Sequence, residues 1–413
     1  MLNFQDKLSY KSLYSRYETT KEKFKYDQFL AGARLLSTRA RLLYLSGVVV
    51  FGLLIFSALP GSKSNLKNYY CFGPAMSPLD MDINKYSEWH RSSPSPVKFN
   101  THNVIEYANT SIRLTDLNLI QSTRDAVANR ERVLILTPLR DASPYLSKYF
   151  ELLMALTYPH SLIDLGFLVS DTNDETLAIL SSELDNLQSG SNPFNSVDIF
   201  QKDFGVTMDN LDVEERHSFE AQGPRRKAMA RARNYLLYSA LKPEHSWVLW
   251  RDVDIVESPP SILEDFIKHD TDVLVPNIWF HRFRDGKDIE GRFDYNSWVE
   301  SSQGLALAAS LDKDVILVEG YKEYQTGREY MARMGDWRYN NDEEIELDGV
   351  GGVNIVVKAD VHRSGINFPC YPFENQAETE GFAKMAKRAG YRVVGLPNYV
   401  VWHIDTDEKP GNG

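Results

Sequence analysis

Two cysteines in 413 residues, Cys71 and Cys370, are too few for a disulfide framework. Positive charge is also scarce: 46 Lys and Arg stand against 57 Asp and Glu, a net charge of −11. So acidic a chain lacks the electrostatic footprint of a nucleic-acid binder. Walker loop, zincin helix and Gly-x-Ser-x-Gly elbow are all missing, and with them the simplest readings as a P-loop NTPase, metalloprotease or α/β-hydrolase. The chain has no internal repeat and no low-complexity tract. Its hydrophobic share is 43% and its charged share 25%, an ordinary globular balance with ample chain for one large core.

What is present begins with an apolar run. Residues 42–59 carry no charged side chain, and Arg34, Arg39 and Arg41 precede them. The run just reaches the length of a membrane helix, and the cationic flank places residues 1–41 in the cytosol and the remainder in a lumen. The tail holds nine Lys or Arg against four acids, so the lumenal part is more acidic than the whole. Residues 60–128, rich in Ser, Pro and Asn, suit a stem. Asn109-Thr110-Ser111 is a glycosylation sequon, in keeping with a lumenal position.

From Arg132 onward short apolar strands alternate with helical stretches. Strands are expected at 133–137, 165–169, 197–204, 247–250 and 272–276, and helices through Leu146–Met154, Leu177–Leu187 and Arg225–Leu241. Such alternation indicates parallel βαβ units, whose ligands sit beyond the carboxyl ends of the strands. Thr137, Asp171, Asp252 and Asp254 all fall at such ends. Asp252 and Asp254 are two apart, so on an extended strand they face the same way, as a pair able to hold a divalent cation beside a diphosphate. Gly223 to Asn234 places five cations in nine residues near an expected helix start, a setting suited to phosphate, although such a run is more often a solvated face. Arg226, Ala230 and Arg233 share one face of that helix, Lys227 and Arg231 another. Arg140 follows the first strand as a further candidate. His403 ends the last strand, where imidazole can complete a metal site. Gly349, Gly351 and Gly352 let backbone approach a ligand or form a tight turn. Residues 282–346, charged and aromatic, read as long loops over the crevice.

Several of these segments occur together and in order: Leu136-Thr137-Pro138-Leu139-Arg140, Leu168-Val169-Ser170-Asp171, Gln201-Lys202-Asp203-Phe204-Gly205, Arg225 through Asn234, Trp250-Arg251-Asp252-Val253-Asp254 and Glu374 through Glu380. The set resembles the fungal Golgi mannan polymerase subunits, α-1,6-mannosyltransferases that build the outer chain of N-linked mannan. The resemblance covers about residues 132–405. It implies an α/β, GT-A type, Rossmann-like catalytic domain over 129–405, with a membrane anchor and stem before it and a short tail, 406–413, after it. It further implies GDP-mannose as donor, Mn2+ as the ion, an N-glycan mannan acceptor, sister subunits as partners and a type II Golgi location.

By the same resemblance Asp252, Asp254 and His403 would bind the metal. Thr137, Arg140, Asp171, Arg226, Lys227 and Arg231 would line the nucleotide pocket. Many inverting GT-A enzymes start the acceptor-side helix with Glu-Asp; here Thr379 follows Glu378, a departure that suits a retaining enzyme, with Glu374, Glu378 or Glu380 to position the acceptor hydroxyl and Glu380 next door to Thr379 as the candidate catalytic carboxylate. Two rival expectations are a non-catalytic scaffold subunit and a transferase of another nucleotide sugar.

Overall fold

The structure is a computed structural model that describes residues 111–205 and 219–405. The expected tail and anchor, most of the stem, Cys71, Asn109 and residues 406–413 lie outside the described residues. Among the described residues no helix is long and apolar enough to cross a membrane.

The first half follows the expected alternation. Strand β1 (Arg132–Leu139), helix α1 (Leu146–Met154), β2 (Ile163–Val169), α2 (Thr176–Gln188) and β3 (Ser196–Gln201) come in turn. Helix α3 (Phe219–Ala240) and strand β4 (His245–Arg251) complete it. The second half departs from simple repetition. It runs β5 (Ile255–Glu257), α4 (Ile262–Ile267), β6 (Val273–Arg284), β7 (Lys287–Arg292), β8 (Trp298–Val299) and α5 (Ser302–Ser310). Then come β9 (Glu329–Tyr330), β10 (Ile345–Glu346), β11 (Asn354–Lys358), α6 (Ala359–Arg363), α7 (Glu378–Arg388) and β12 (Val393–His403).

These strands form one mixed sheet in the order β10-β12-β6-β11-β4-β1-β2-β3, with β5 on β12 and β7 on β6. β1, β2, β3 and β4 are parallel neighbours, while β11 lies antiparallel between β4 and β6. β2 and β4 are buried along their whole length, which is why they read as continuous apolar runs rather than alternating ones. Helices α1, α2 and α4 cover one face through Phe150, Leu180 and Phe266. Helices α3, α6 and α7 cover the other through Leu237, Val361 and Phe382.

Three expectations need correcting. Strand β4 ends at Arg251, so Asp252 and Asp254 lie in a turn and the period-two argument does not apply to them. Helix α3 starts at Phe219 and runs through Gly223-Pro224, so its cations sit within the helix rather than at its positive end. The region 282–346 is not simply loop: β6 continues to Arg284 and turns back through β7, and α5 and three short strands follow.

At the amino ends of the parallel strands one carboxylate draws four donors together. Asp164 of β2 accepts from Arg132 Nε at 3.0 Å and Asn195 Nδ2 at 2.7 Å, meets His245 Nε2 at 3.1 Å, and accepts from Ser196 Oγ. Burial alone would raise its pKa, but these bonds outweigh burial and hold it far below the usual carboxylate range. The opposite, carboxyl end of the sheet is left for the site.

Candidate active site

Strand β4 pairs with β1 as far as Leu136 beside Trp250 and ends one residue later, at Arg251. Beyond that point the Asp252 amide donates to Val353 O at 2.9 Å, which holds the turn against the start of β11. β12 arrives in parallel with β6 and pairs with β5, so that His403 meets Ile255. A sheet built in this register places the acidic turn and the terminal histidine side by side.

His403 Nε2 lies 3.0 Å from Asp254 Oδ1. Its other nitrogen, Nδ1, lies 2.8 Å from the Ile404 carbonyl, which can only accept, so Nδ1 carries a proton and Nε2 faces the carboxylate. The ring stacks on Phe293 at 3.8 Å, which fixes its plane. Burial disfavours the charged imidazolium, but Asp254 outweighs it and raises the pKa of His403. Asp254 Oδ1 is buried and accepts no hydrogen bond of good geometry among the described residues. A buried carboxylate oxygen facing an imidazole nitrogen, with only a proton to share, suits a divalent cation in that proton's place.

Asp252 points elsewhere. Its Oδ1 lies 3.4 Å from Arg233 Nη2, and burial is the main cause that holds its pKa above the usual carboxylate range. Arg233 also donates through Nε to Glu378 Oε1 at 3.1 Å and through Nη2 to Gly352 O at 3.2 Å. Asp252, Asp254 and His403 therefore do not close into one cage; no three His, Cys, Asp or Glu among the described residues do so. The residues present fit an open site with Asp254 and His403 as its two fixed partners.

The remaining expected contacts divide. Thr137 is fully buried and lies 2.6 Å from Tyr149 Oη while donating to Arg251 O at 2.9 Å, so it braces β1 against β4 and offers nothing to a ligand. Asp171 adopts φ +45° and accepts from the amides of Phe204 and Gly205 at 3.1 and 3.0 Å. It caps the turn after β3. Arg140 is half-buried beside Asp141 at 3.6 Å. Arg226 is buried and paired with Glu380, with Asn296 Oδ1 at 2.9 Å from its second nitrogen. Lys227 is half-buried and Arg231 exposed, on the helix faces away from that pair.

Glu380 is fully buried; besides Arg226 it accepts from Trp298 Nε1 at 3.3 Å. That engagement removes it as a free acceptor-side carboxylate. The entry to α7 is strained, with Glu374, Asn375 and Glu378 at φ +50°, +59° and +53°. Asn375 Nδ2 holds the turn by donating to Asp312 O and Val315 O at 2.8 and 2.9 Å. Sequence reasoning passed over Arg233 as a site residue, although it shares the helix face of Arg226; its signal was that shared face.

The glycine run has a structural role. A Cβ on Gly349 would fall 2.3 Å from the Trp298 ring, on Gly351 1.7 Å from Asp294 Oδ2, and on Gly352 2.7 Å from Arg233 Nη2. The backbone does make a close approach there, but to protein side chains.

With the geometry in place, three comparisons bear on it. The family model described as Anp1 matches residues 111–372. The mannan polymerase II complex ANP1 subunit of Saccharomyces cerevisiae is 49% identical over 308 residues, covering 73% of this chain and 61% of that protein. The mannan polymerase II complex anp1 subunit of Schizosaccharomyces pombe is 48% identical over 301 residues, covering 72% and 70%. The chain therefore spans about three fifths of the length of the first of these relatives. Among solved structures, the mannosyltransferase PcManGT of Pyrobaculum calidifontis, in complex with GDP-Man and Mn2+, is 13% identical with a TM-score of 0.38, covering 71% of this chain and 61% of that one. That score is too low to carry an argument.

Proposed function

The chain belongs to the Anp1 family, and from that premise we propose that it is a retaining α-1,6-mannosyltransferase. Its donor is GDP-mannose, its fold is of the GT-A type, and it works as one subunit of a Golgi mannan polymerase. The observation that carries this reading is the pair Asp254–His403, 3.0 Å apart at the carboxyl rim of the parallel strands. Support comes also from the relatives, which are mannan polymerase subunits by name, and from the uncharged run at 42–59, which suits a type II anchor.

Asp254 and His403 would hold Mn2+, with Asp252 beside them. When bound, the ion supplies positive charge to the diphosphate of a departing GDP. The protein's own part is electrostatic preorganisation. Arg233 keeps Asp252 in place, the Ile404 carbonyl keeps His403 in its ligating tautomer, and Phe293 keeps the ring from turning. Arg140 and Lys227 remain the cations closest in kind to donor contacts. An α-linked donor giving an α-linked product keeps configuration and requires no deprotonated base on α7, in keeping with the engagement of Glu378 and Glu380 by arginines.

A scaffold role is the second reading, and the same engagement of both α7 acids favours it. Asp254→Ala in the full chain, assayed with GDP-mannose and Mn2+, decides between them. Transfer falls by about 100-fold or more if one electrostatic partner of the leaving group is lost. Unchanged transfer by an assembly carrying that variant assigns the chemistry to a sister subunit.

A further inference from the structure

A cavity of about 710 Å3 opens beside Asp254 and His403. One wall is the end of β6, whose His281 and Phe283 line it and form a column of rings with Trp402 of β12. Phe283 lies over His281 with planes 18° apart, and His281 stacks on Trp402 at 3.6 Å. Phe283 is 71% exposed at the end of that column. The opposite wall is the start of α1, with Tyr145 and Lys148, and β5 contributes Glu257.

The side chains left open in this cavity bear on its occupant. Three carboxylates line it, Asp254, Glu257 and Asp405, the last of them buried and paired with Arg282, whose Nη2 donates to it at 2.6 Å. Lys148 is the lysine on its wall, and its ammonium is already 2.7 Å from Glu151. With Asp254 given to the cation and Asp405 to Arg282, Glu257 is the carboxylate left for a ligand, and it favours hydroxyl groups over phosphate at that wall. A neutral saccharide meets what it needs: an aromatic face for its C–H surface, and a carboxylate that accepts hydroxyl protons as charge-assisted hydrogen bonds. Glu257 is exposed and makes no side-chain hydrogen bond or ion pair among the described residues. Position agrees with charge. An acceptor hydroxyl has to reach the sugar carbon next to the diphosphate, so its site must border the residues that hold the cation, and this cavity does. The alternative acceptor carboxylates, Glu378 and Glu380, are buried and paired with arginines.

We propose that this cavity is the acceptor-sugar site, with Phe283 as the stacking platform and Glu257 and Tyr145 as hydroxyl partners. The assignment rests on the glycosyltransferase reading above for its term "acceptor", but saccharide binding here can be tested apart from turnover.

The test uses the full chain with any subunit that co-purifies, as wild type, Phe283→Ala, Glu257→Gln and Phe283→Tyr. With GDP-mannose and α-1,6-mannobiose as substrates, the ratio of acceptor KM to donor KM rises about tenfold in the first two variants, the size expected for one lost charged or stacking contact. Phe283→Tyr, which keeps the platform, restores the ratio. In saturation-transfer NMR, α-1,6-mannobiose gives signals with wild type that Phe283→Ala and Glu257→Gln lose. Two KM values that move together, or neither moving, overturn the assignment, as does wild type that binds no mannobiose. If wild type binds mannobiose through Phe283 yet transfers nothing, the glycosyltransferase reading fails while the saccharide site stands.

Discussion

His362 is 2% exposed between two groups of fixed polarity. Its Nδ1 lies 2.8 Å from the Ile366 carbonyl, which accepts, and its Nε2 takes the Trp250 indole proton at 3.2 Å. The ring is therefore neutral, and a second proton would point at an N–H. Burial, the main cause, pushes its pKa down to about 4 from 6.5. Below 6.5 the unfolded chain takes up a proton that the folded chain refuses until about pH 4, so stability is complete above the first value and lost on the way to the second. The loss should total roughly 3 kcal/mol, from the linkage between proton uptake and unfolding. Urea titrations between pH 4 and 7 should show one fewer proton taken up on unfolding in His362→Gln than in wild type; equal uptake would contradict it. At Gly351 the argument is steric. A methyl group would sit 1.7 Å from Asp294 Oδ2, so Gly351→Ala should cost about 1–3 kcal/mol by forcing the turn apart. Denaturant midpoints measure it. At this scale the three glycines in 349–352 left open either a close approach to a ligand or a tight turn; the structure shows a close approach, but to protein side chains. The sequence did not say which, because Trp298, Asp294 and Arg233 lie far away along the chain.

Helices α3 and α7 are joined by two buried pairs, Arg226 with Glu380 and Arg233 with Glu378. Glu380 is fully buried and Arg226 nearly so, so removing one partner strands a charge without water. Burial lowers the pKa of Arg226 most, and Glu378 raises it in return, but guanidinium stays charged across any working pH. Glu380→Gln should therefore lose about 3–5 kcal/mol, whereas Glu380→Gln combined with Arg226→Met should recover part of it, since neither charge is then left alone. A double-mutant cycle by chemical denaturation reads the coupling, and additive losses would sink the claim. The shared face of Arg226, Ala230 and Arg233 was legible from a 3.6-residue period. Its partners were not, because Glu380 lies 154 residues further on and helical spacing carries no information across that distance. The same blindness turned a buried carboxylate into a candidate catalyst. It also left the extension of α3 through Gly223-Pro224 unseen.

The molecule as a whole divides its sheet by polarity of the strands. Alternating apolar strands and helices were enough to foretell β1 through β4 and their parallel direction. They were not enough for β11, which enters antiparallel between β4 and β6, because a single strand's direction is set by connections that no local pattern records. The end opposite the site depends on Asp164, 2% exposed at the side chain and ringed by donors from β1, β3 and β4 or their flanks. With this side chain 2% exposed, an amide in that position would turn an N–H toward other donors. Asp164→Asn should then cost about 3–5 kcal/mol, the range for breaking a buried charged contact. The loss should be cooperative, because four strands share the carboxylate: the urea midpoint falls while the slope, which tracks the surface exposed on unfolding, stays as in wild type. The carboxylate's contribution should be complete above the unfolded-state value of about 4 and be lost as pH falls from there toward its depressed folded value. A shallower slope or a second transition in Asp164→Asn would mean that the sheet's two ends unfold separately, and that Asp164 secures only its immediate neighbours.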